Sequence, residues 1–328
     1  MLGFSDIRNG KDFWCRLNLN RAKNEAIWSQ KTNYMDYSVY RNSFFATIVL
    51  LLLFRIPAAN GQLHIGFNGG LNQSVLSGSE EKINGEGESL SSTSGFHIGM
   101  RIQYDLRDWL TLGGGIGYTQ RGVQRDYSGP SYFLFQTTDG RREFYDGERQ
   151  QQMTVTSDHL DLPLFIQFNP VKRIQFYTGP YFSFTMSAKA GGRVRFNEES
   201  FQGETPQMET GLEFSYYGDD AGFTVDMEDE QIMMGGDRVL IPDLLGAYYE
   251  REQVDEKLYK RWHYGIHAGV NAFISSGLYL NFEWMYGLND MTRQAADISW
   301  ANRENGDFVF RDDFDRFITY RFSVGFAF

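Results

Sequence analysis

LHIGFNGGLN, residues 63–72, sets large apolar side chains (Leu63, Ile65, Phe67, Leu71) on odd positions and small or polar ones (His64, Gly66, Asn68, Gly70, Asn72) on even positions. A repeat of two is the period of an extended strand, whose side chains alternate between faces. What the apolar face packs against, protein core or lipid, is not answered by this strand alone.

The pattern recurs. Segments 63–72, 95–105, 110–122, 158–169, 174–187, 262–274, 278–288 and 317–328 each alternate over about ten residues, giving an even count of eight strands. The connections LRDW (106–109), NPVKR (169–173) and SSG (275–277) are short and have tight-turn chemistry. The other connections, 73–94, 123–157, 188–261 and 289–316, are long. In antiparallel order, all short turns fall at one end and all long loops at the other.

The two faces decide between core and lipid. Segment 95–105 carries Phe96, Ile98, Met100, Ile102 and Tyr104 against His97, Gly99, Arg101 and Gln103. Segment 158–169 carries Leu160, Leu162, Leu164, Ile166 and Phe168 against Asp161, Pro163, Phe165 and Gln167. A soluble barrel fills its interior with large apolar residues. Here the polar face is glycine, serine, threonine, asparagine and single charges, suited to a crowded lumen, and the apolar face is bulky and aromatic toward strand ends. The expected fold is all-β: an eight-stranded antiparallel transmembrane β-barrel of the outer membrane, with short periplasmic turns and long extracellular loops. Hydrocarbon tolerates no open sheet edge, so the last strand must pair with the first. Eight strands enclose a bore about filled by side chains, which argues against wide conduction.

The N-terminal region reads differently. FFATIVLLLLF (44–54) follows Arg41 and precedes RIPAANGQ, with Ala59 and Gly61 as small residues before a cleavage point. Eleven apolar residues suit a secretion signal and fall short of a spanning helix. The expected organisation is 1–34 as a start-site miscall or disordered extension, 35–61 as a signal peptide, and 62–328 as the barrel domain. The one cysteine, Cys15, lies in the first of these, leaving the exported part without a thiol. Residues 1–61 hold eight basic and four acidic side chains, so their removal deepens the net charge from −11 to −15. Nucleic acid is excluded as a partner on that charge.

The terminal YRFSVGFAF, ending on Phe328, resembles the C-terminal assembly signal of Gram-negative outer-membrane barrels. The runs GFNGGLN, GFHIGMRIQYDLRDWLTLGGGIGYTQRG, LDLPLFIQFN and FYTGPYFSF are similar to the PorT-like family of Bacteroidetes outer-membrane barrels. That resemblance covers about half of the exported chain. It implies the same eight-stranded outer-membrane barrel, and one branch of the family is tied to a protein-secretion system.

Candidate sites follow from the polar face. Arg101, Arg121, Asp161, Glu283 and Arg321 point inward from five strands and are expected to neutralise one another as a structural lumen network, since an unpaired buried charge is costly. His64, His97, His159, His263 and His267 share the polar face, four of them toward the long-loop end at an expected wet rim, but no ligand spacing accompanies them. Ser157, Asp158 and His159 cannot form a triad as written, because neighbours in a strand face opposite ways. GGGIG (113–117) lacks the lysine and helix of a phosphate loop. No stretch matches a twelve-residue calcium loop. No catalytic, cofactor or metal residue is assigned.

Loop 188–261, with NEESFQGE, YYGDDAG and DMEDEQ, is acidic and aromatic. It reads equally as a surface for a partner or ligand and as solvated hairpins, with LEFSYY and FTVDM as their strands. The expected function is interaction, as a structural, secretion-associated or surface-ligand-binding envelope component. Its partners would be outer-membrane lipid and envelope or secretion-system proteins reached through that loop. A small porin-like channel is the alternative.

Overall fold

The computed structural model describes residues 63–198, 207–220, 224–225, 231–250, 256–304 and 307–328. The expected extension 1–34 and signal peptide 35–61 lie outside the described residues, as do most of NEESFQGE and DMEDEQ.

Eight long strands form the frame: β1 (Leu63–Ser77), β2 (Glu86–Arg107), β3 (Leu110–Thr137), β4 (Arg142–Val171), β5 (Ile174–Glu198), β6 (Trp262–Phe273), β7 (Leu278–Gly287) and β8 (Arg316–Ala327). Each pairs antiparallel with the next. β8 returns to β1 in unbroken register from Gly66↔Ala327 to Ser77↔Arg316. The ring is closed, so every strand has two neighbours and no membrane-facing backbone group is left for lipid. The closing seam is tight: a methyl on Gly70 would lie 1.9 Å from the Phe322 carbonyl oxygen, so only glycine fits there.

Near the short turns the faces divide as lipid demands. Leu71, Ile98, Ile166 and Phe322 are exposed on the outside, whereas Asn72, Arg101, Asp161 and Asn281 are buried inside. Inward glycines lie opposite inward rings, and the sequence encodes the pairing: Gly113↔Phe165, Gly265↔Tyr181, Gly269↔Tyr177 and Gly325↔Tyr279 are cross-strand partners. A methyl on Gly113 would sit 2.3 Å from the Phe165 ring, and one on Gly325 2.2 Å from that of Tyr279. The glycines make room for aromatic plugs across the bore, which is the work GGGIG does here.

Toward the long-loop end the same strands reverse their polarity. On β4 the outward set changes from Leu160, Leu162 and Leu164 to Thr154, Gln152 and Gln150, while the inward set changes from Asp161, His159 and Ser157 to Val155 and Met153. β3 turns Val123, Tyr127, Phe133 and Phe135 inward, and Gln124 and Ser128 outward. β5 takes one extra residue opposite Asp158–His159 and then turns Ala188, Ala190, Val194 and Phe196 inward, with Lys189, Arg193 and Arg195 outward. Apart from the extra residue in β5 and the doubly buried run Tyr132–Phe135, the alternation of two carries through, and the solvent on the outer face changes from hydrocarbon to water.

This corrects the loop boundaries. Residues 123–157 are not a loop but a hairpin that continues β3 and β4, in register from Val123↔Val155 to Gln136↔Arg142. Residues 188–261 begin as more of β5, and Gln207–Ser215 pairs back onto it, with Phe196 opposite Met208. The expected hairpin strands LEFSYY and FTVDM correspond to the end of that strand and to Thr224–Val225. Asp237–Leu240 pairs with Gln231–Met234 and with the tip of β3. A further hairpin, Ile298–Glu304 with Asp307–Phe310, lies within 289–316. Together these elements enclose a second core, in which Phe135, Phe196, Met208, Met234, Val239 and Tyr248 are wholly buried. Neither a binding surface nor solvated hairpins describes all of 188–261, because its Tyr216, Tyr248, Tyr249 and Tyr259 are in this core.

Candidate functional site

The five expected lumen charges converge. Asp161 accepts from Arg121 Nη2 at 2.9 Å, from Thr119 Oγ1 at 2.7 Å and from Arg321. Arg321 Nη1 reaches Glu283 Oε2 at 3.2 Å, and Arg101 Nη2 reaches Glu283 Oε1 at 3.5 Å. Three arginines meet two carboxylates, so one positive charge is in excess. Its field meets polar and aromatic groups: Arg101 donates to Tyr177 Oη at 3.0 Å and lies 4.6 Å from that ring's centre. Asn281 also donates to Tyr177 Oη, at 2.7 Å. All five charged side chains are buried. The cavities beside them measure about 20 Å³, near Asp161 and Arg321, and about 10 Å³, near Arg121 and His159. Spaces of that size hold about one or two waters each. Below them, at the short-turn mouth, a vestibule of about 510 Å³ is lined by His64, Gln103, Asp105, Gln167 and Asn169 among others.

The histidines are not at a wet rim, which corrects the expectation. His97, His159, His263 and His267 are buried: the strands of His97 and His159 continue well past them, and the upper core covers the lumen. His267 Nδ1 lies 2.7 Å from Glu283, His97 Nε2 lies 3.0 Å from Ser323 Oγ, and His263 Nε2 lies 2.9 Å from Thr185 Oγ1. His64 is at the opposite mouth, against Asp105 at 3.1 Å. Ser157 and His159 do share the inner face and come within 2.8 Å, whereas Asp158 points outward to Tyr118 and Ser187. His159 Nδ1 faces Ser183 and Thr185 rather than a carboxylate, so the pair lacks the orienting acid of a triad.

A second constellation, which the sequence reading missed, lies in the upper core. A cavity of about 70 Å³ is lined by residues from β1, β3, β4, β5, the Gln207–Ser215 strand, the 245–250 and 258–259 stretches and the 289–316 segment. Phe133, Phe214, Tyr249, Tyr259 and Trp300 are among its walls. Asp297 and Asp315 line it, and with Asp313 their carboxylate oxygens lie within 4.8 Å of one another. Burial and the neighbouring carboxylates, Asp315, Asp290 and Asp313, push Asp297 up to about 7. Burial and Asp313 push Asp315 up to about 6, against the opposing pull of Arg125. The opposite case lies nearby: Glu88 is buried too, but its pairs with Arg125 and Arg311 hold it below the usual carboxylate range. Residues 297, 313 and 315 have no motif spacing, and only folding brings them together.

The family profile described as outer membrane protein beta-barrel domain matches residues 54–293. No curated protein matches the sequence. Among solved structures, Ail, the attachment invasion locus protein of Yersinia pestis in complex with the heparin analogue sucrose octasulfate, is 9% identical, with a TM-score of 0.32 over 81% of this chain and 99% of that one. Neisserial surface protein A is 11% identical, with a TM-score of 0.31 over 82% and 99%. OprG of Pseudomonas aeruginosa is 13% identical, with a TM-score of 0.32 over 81% and 95%. At those scores the closure of the sheet rests on the strand pairing itself.

Proposed function

From the premise that the chain belongs to the outer membrane protein beta-barrel domain family, and so lies in a Gram-negative outer membrane, we propose that it is a closed barrel carrying an extracellular interaction domain. The observation that carries this reading is the pairing of a lumen blocked by charges and rings with a separate packed core beyond the lipid band. In this account Arg101, Arg121, Asp161, Glu283 and Arg321 are structural. They brace five strands across the bore, and removing either carboxylate leaves arginines without a counter-charge.

The exposed face of the upper domain is the working surface. Met233 and Phe310 are half-exposed there, away from the lipid-facing apolar band. Its partner is another envelope protein or a surface ligand. The PorT-like resemblance adds a secretion-system component as the specific candidate, and residues 35–61 would act as the export signal.

Excising 188–261 would uncover the upper core, so the test must be a surface one. The intact chain and a Met233→Glu/Phe310→Glu variant are each used to capture partners from native outer membrane in mild detergent. The expected result is a defined protein recovered with the intact chain and lost with the variant. Recovery of no partner with either chain would contradict the reading.

A further inference from the structure

We propose that the enclosed cavity of the upper domain binds a small organic ammonium ion, with Asp297 and Asp315 as counter-charge and aromatic rings as walls. Three observations meet at this place. The cavity itself is lined by residues from distant segments of chain and has room for about five to seven waters, or a guest of about as many non-hydrogen atoms. Two carboxyls, each more than nine-tenths buried, line it, and among the described residues neither forms an ion pair. An ionised acid buried without a counter-charge is costly, and a cation within the cavity removes that cost.

The third observation is independent of the acids. Gln151 lines the same cavity, is 4% exposed, and among the described residues its carboxamide has no hydrogen-bond partner. The Tyr249 hydroxyl, also on the cavity wall, is buried and has no hydrogen-bond partner among the described residues. Buried polar groups are nearly always satisfied, and these two residues line the space a guest would fill.

The walls choose the class of cation. Calcium and magnesium need six or more oxygen ligands, whereas much of this lining is hydrocarbon and aromatic ring: Leu76, Val123, Phe133, Tyr249, Tyr259 and Trp300. Acid on one side and ring faces on the other is the chemistry that recognises alkylated ammonium groups. The rings already hold cations in this way, since Arg125 lies 4.2 Å and Arg149 5.7 Å from the centre of Trp300. Both arginines are engaged, Arg125 with Glu88 and Arg149 with Glu250 at 2.7 Å, so neither neutralises the aspartates directly. Asp290, Asp313, Glu88 and Arg125 are the other charged groups felt by the pair, and their sum is negative.

This assignment is separate from the partner reading, which concerns the outer surface. It is tested on the full folded chain in maltoside micelles by thermal unfolding, read as loss of the compact band on electrophoresis, together with calorimetry. The titrants are tetramethylammonium chloride and choline chloride, with sodium and calcium chloride at matched ionic strength. The account expects a saturable rise in midpoint with the ammonium salts at pH 8, absent with sodium. Affinity should fall at least tenfold in Asp297→Asn, and also in Trp300→Leu, which keeps the acids in place. A smaller affinity at pH 6 should follow from protonation of the two aspartates. Equal responses to sodium and the ammonium salts would overturn the proposal. So would saturation by calcium alone, which would make the place a divalent-ion site, or unchanged ammonium binding by a folded Asp297→Asn chain.

Discussion

The membrane half and the upper half of this barrel are built from the same strands with opposite polarity. In the lower half the outer face is leucine and phenylalanine and the interior is a charge network; in the upper half the outer face is glutamine, threonine and lysine and the interior is a hydrophobic core. Along β4 the change takes place between Val155 and Leu160. The difference teaches that the inside of a membrane barrel is polar because lipid claims the apolar side chains. Once water replaces lipid, the hydrophobic effect returns them to the interior. A single period of two therefore encodes a membrane peg and a water-soluble domain in one continuous sheet.

The largest effects should come from attacking either interior with the change it cannot absorb. Glu283→Gln strips a buried carboxylate from Arg101, Arg321 and His267 and should destabilise the barrel by about 3–5 kcal/mol. A lower temperature for loss of the compact electrophoretic band would show it. Phe135→Ala, in contact with Phe133, Phe196 and Tyr145, should cost about 3–5 kcal/mol to the upper core alone. Limited proteolysis should then cut the β3–β4 hairpin while the membrane band stays compact. Cleavage and band loss occurring together would mean that the two halves are one cooperative unit.

An intermediate effect separates the outer faces. Leu164→Arg, in the lipid band, should cost about 2–4 kcal/mol. Gln152→Arg, on the same face of the same strand but above the band, should fall within about 0.5 kcal/mol of the parent. Similar losses at both positions would place the lipid boundary higher than Leu160.

The smallest effect is on pH. The folded-state values of Asp297 and Asp315 are raised, so their favourable contribution is fully present below the ordinary aspartate range near 4. It is lost as pH rises through about 6 and 7, when both ionise against Asp290 and Asp313. Protease resistance of the upper domain should decline over that window, and Asp297→Asn should flatten the decline.

How much of this was legible in the sequence follows the same division. The eight membrane strands, their turns and the five lumen charges could be read because Leu160–Phe168 and its counterparts keep the apolar set on one parity. The upper strands do not show the membrane parity: MTV at 153–155 alternates as well as any membrane strand and YFLF at 132–135 packs on both faces, but with the apolar residues inside. The histidines were placed at a rim for the same reason, since the strands were thought to end beside them. The Asp297–Asp315 cavity had no local signal, because Gln151, Tyr249 and the 297–315 segment lie far apart in the chain.

The most direct test of the central claim, a closed peg beneath a folded extracellular domain, is single-channel recording of the purified full chain in planar lipid bilayers. The account predicts no steady ohmic openings from the intact protein, with the lumen sealed by Asp161, Glu283 and their arginines. Stable, reproducible openings in the intact chain would contradict it and make the lumen a conducting path.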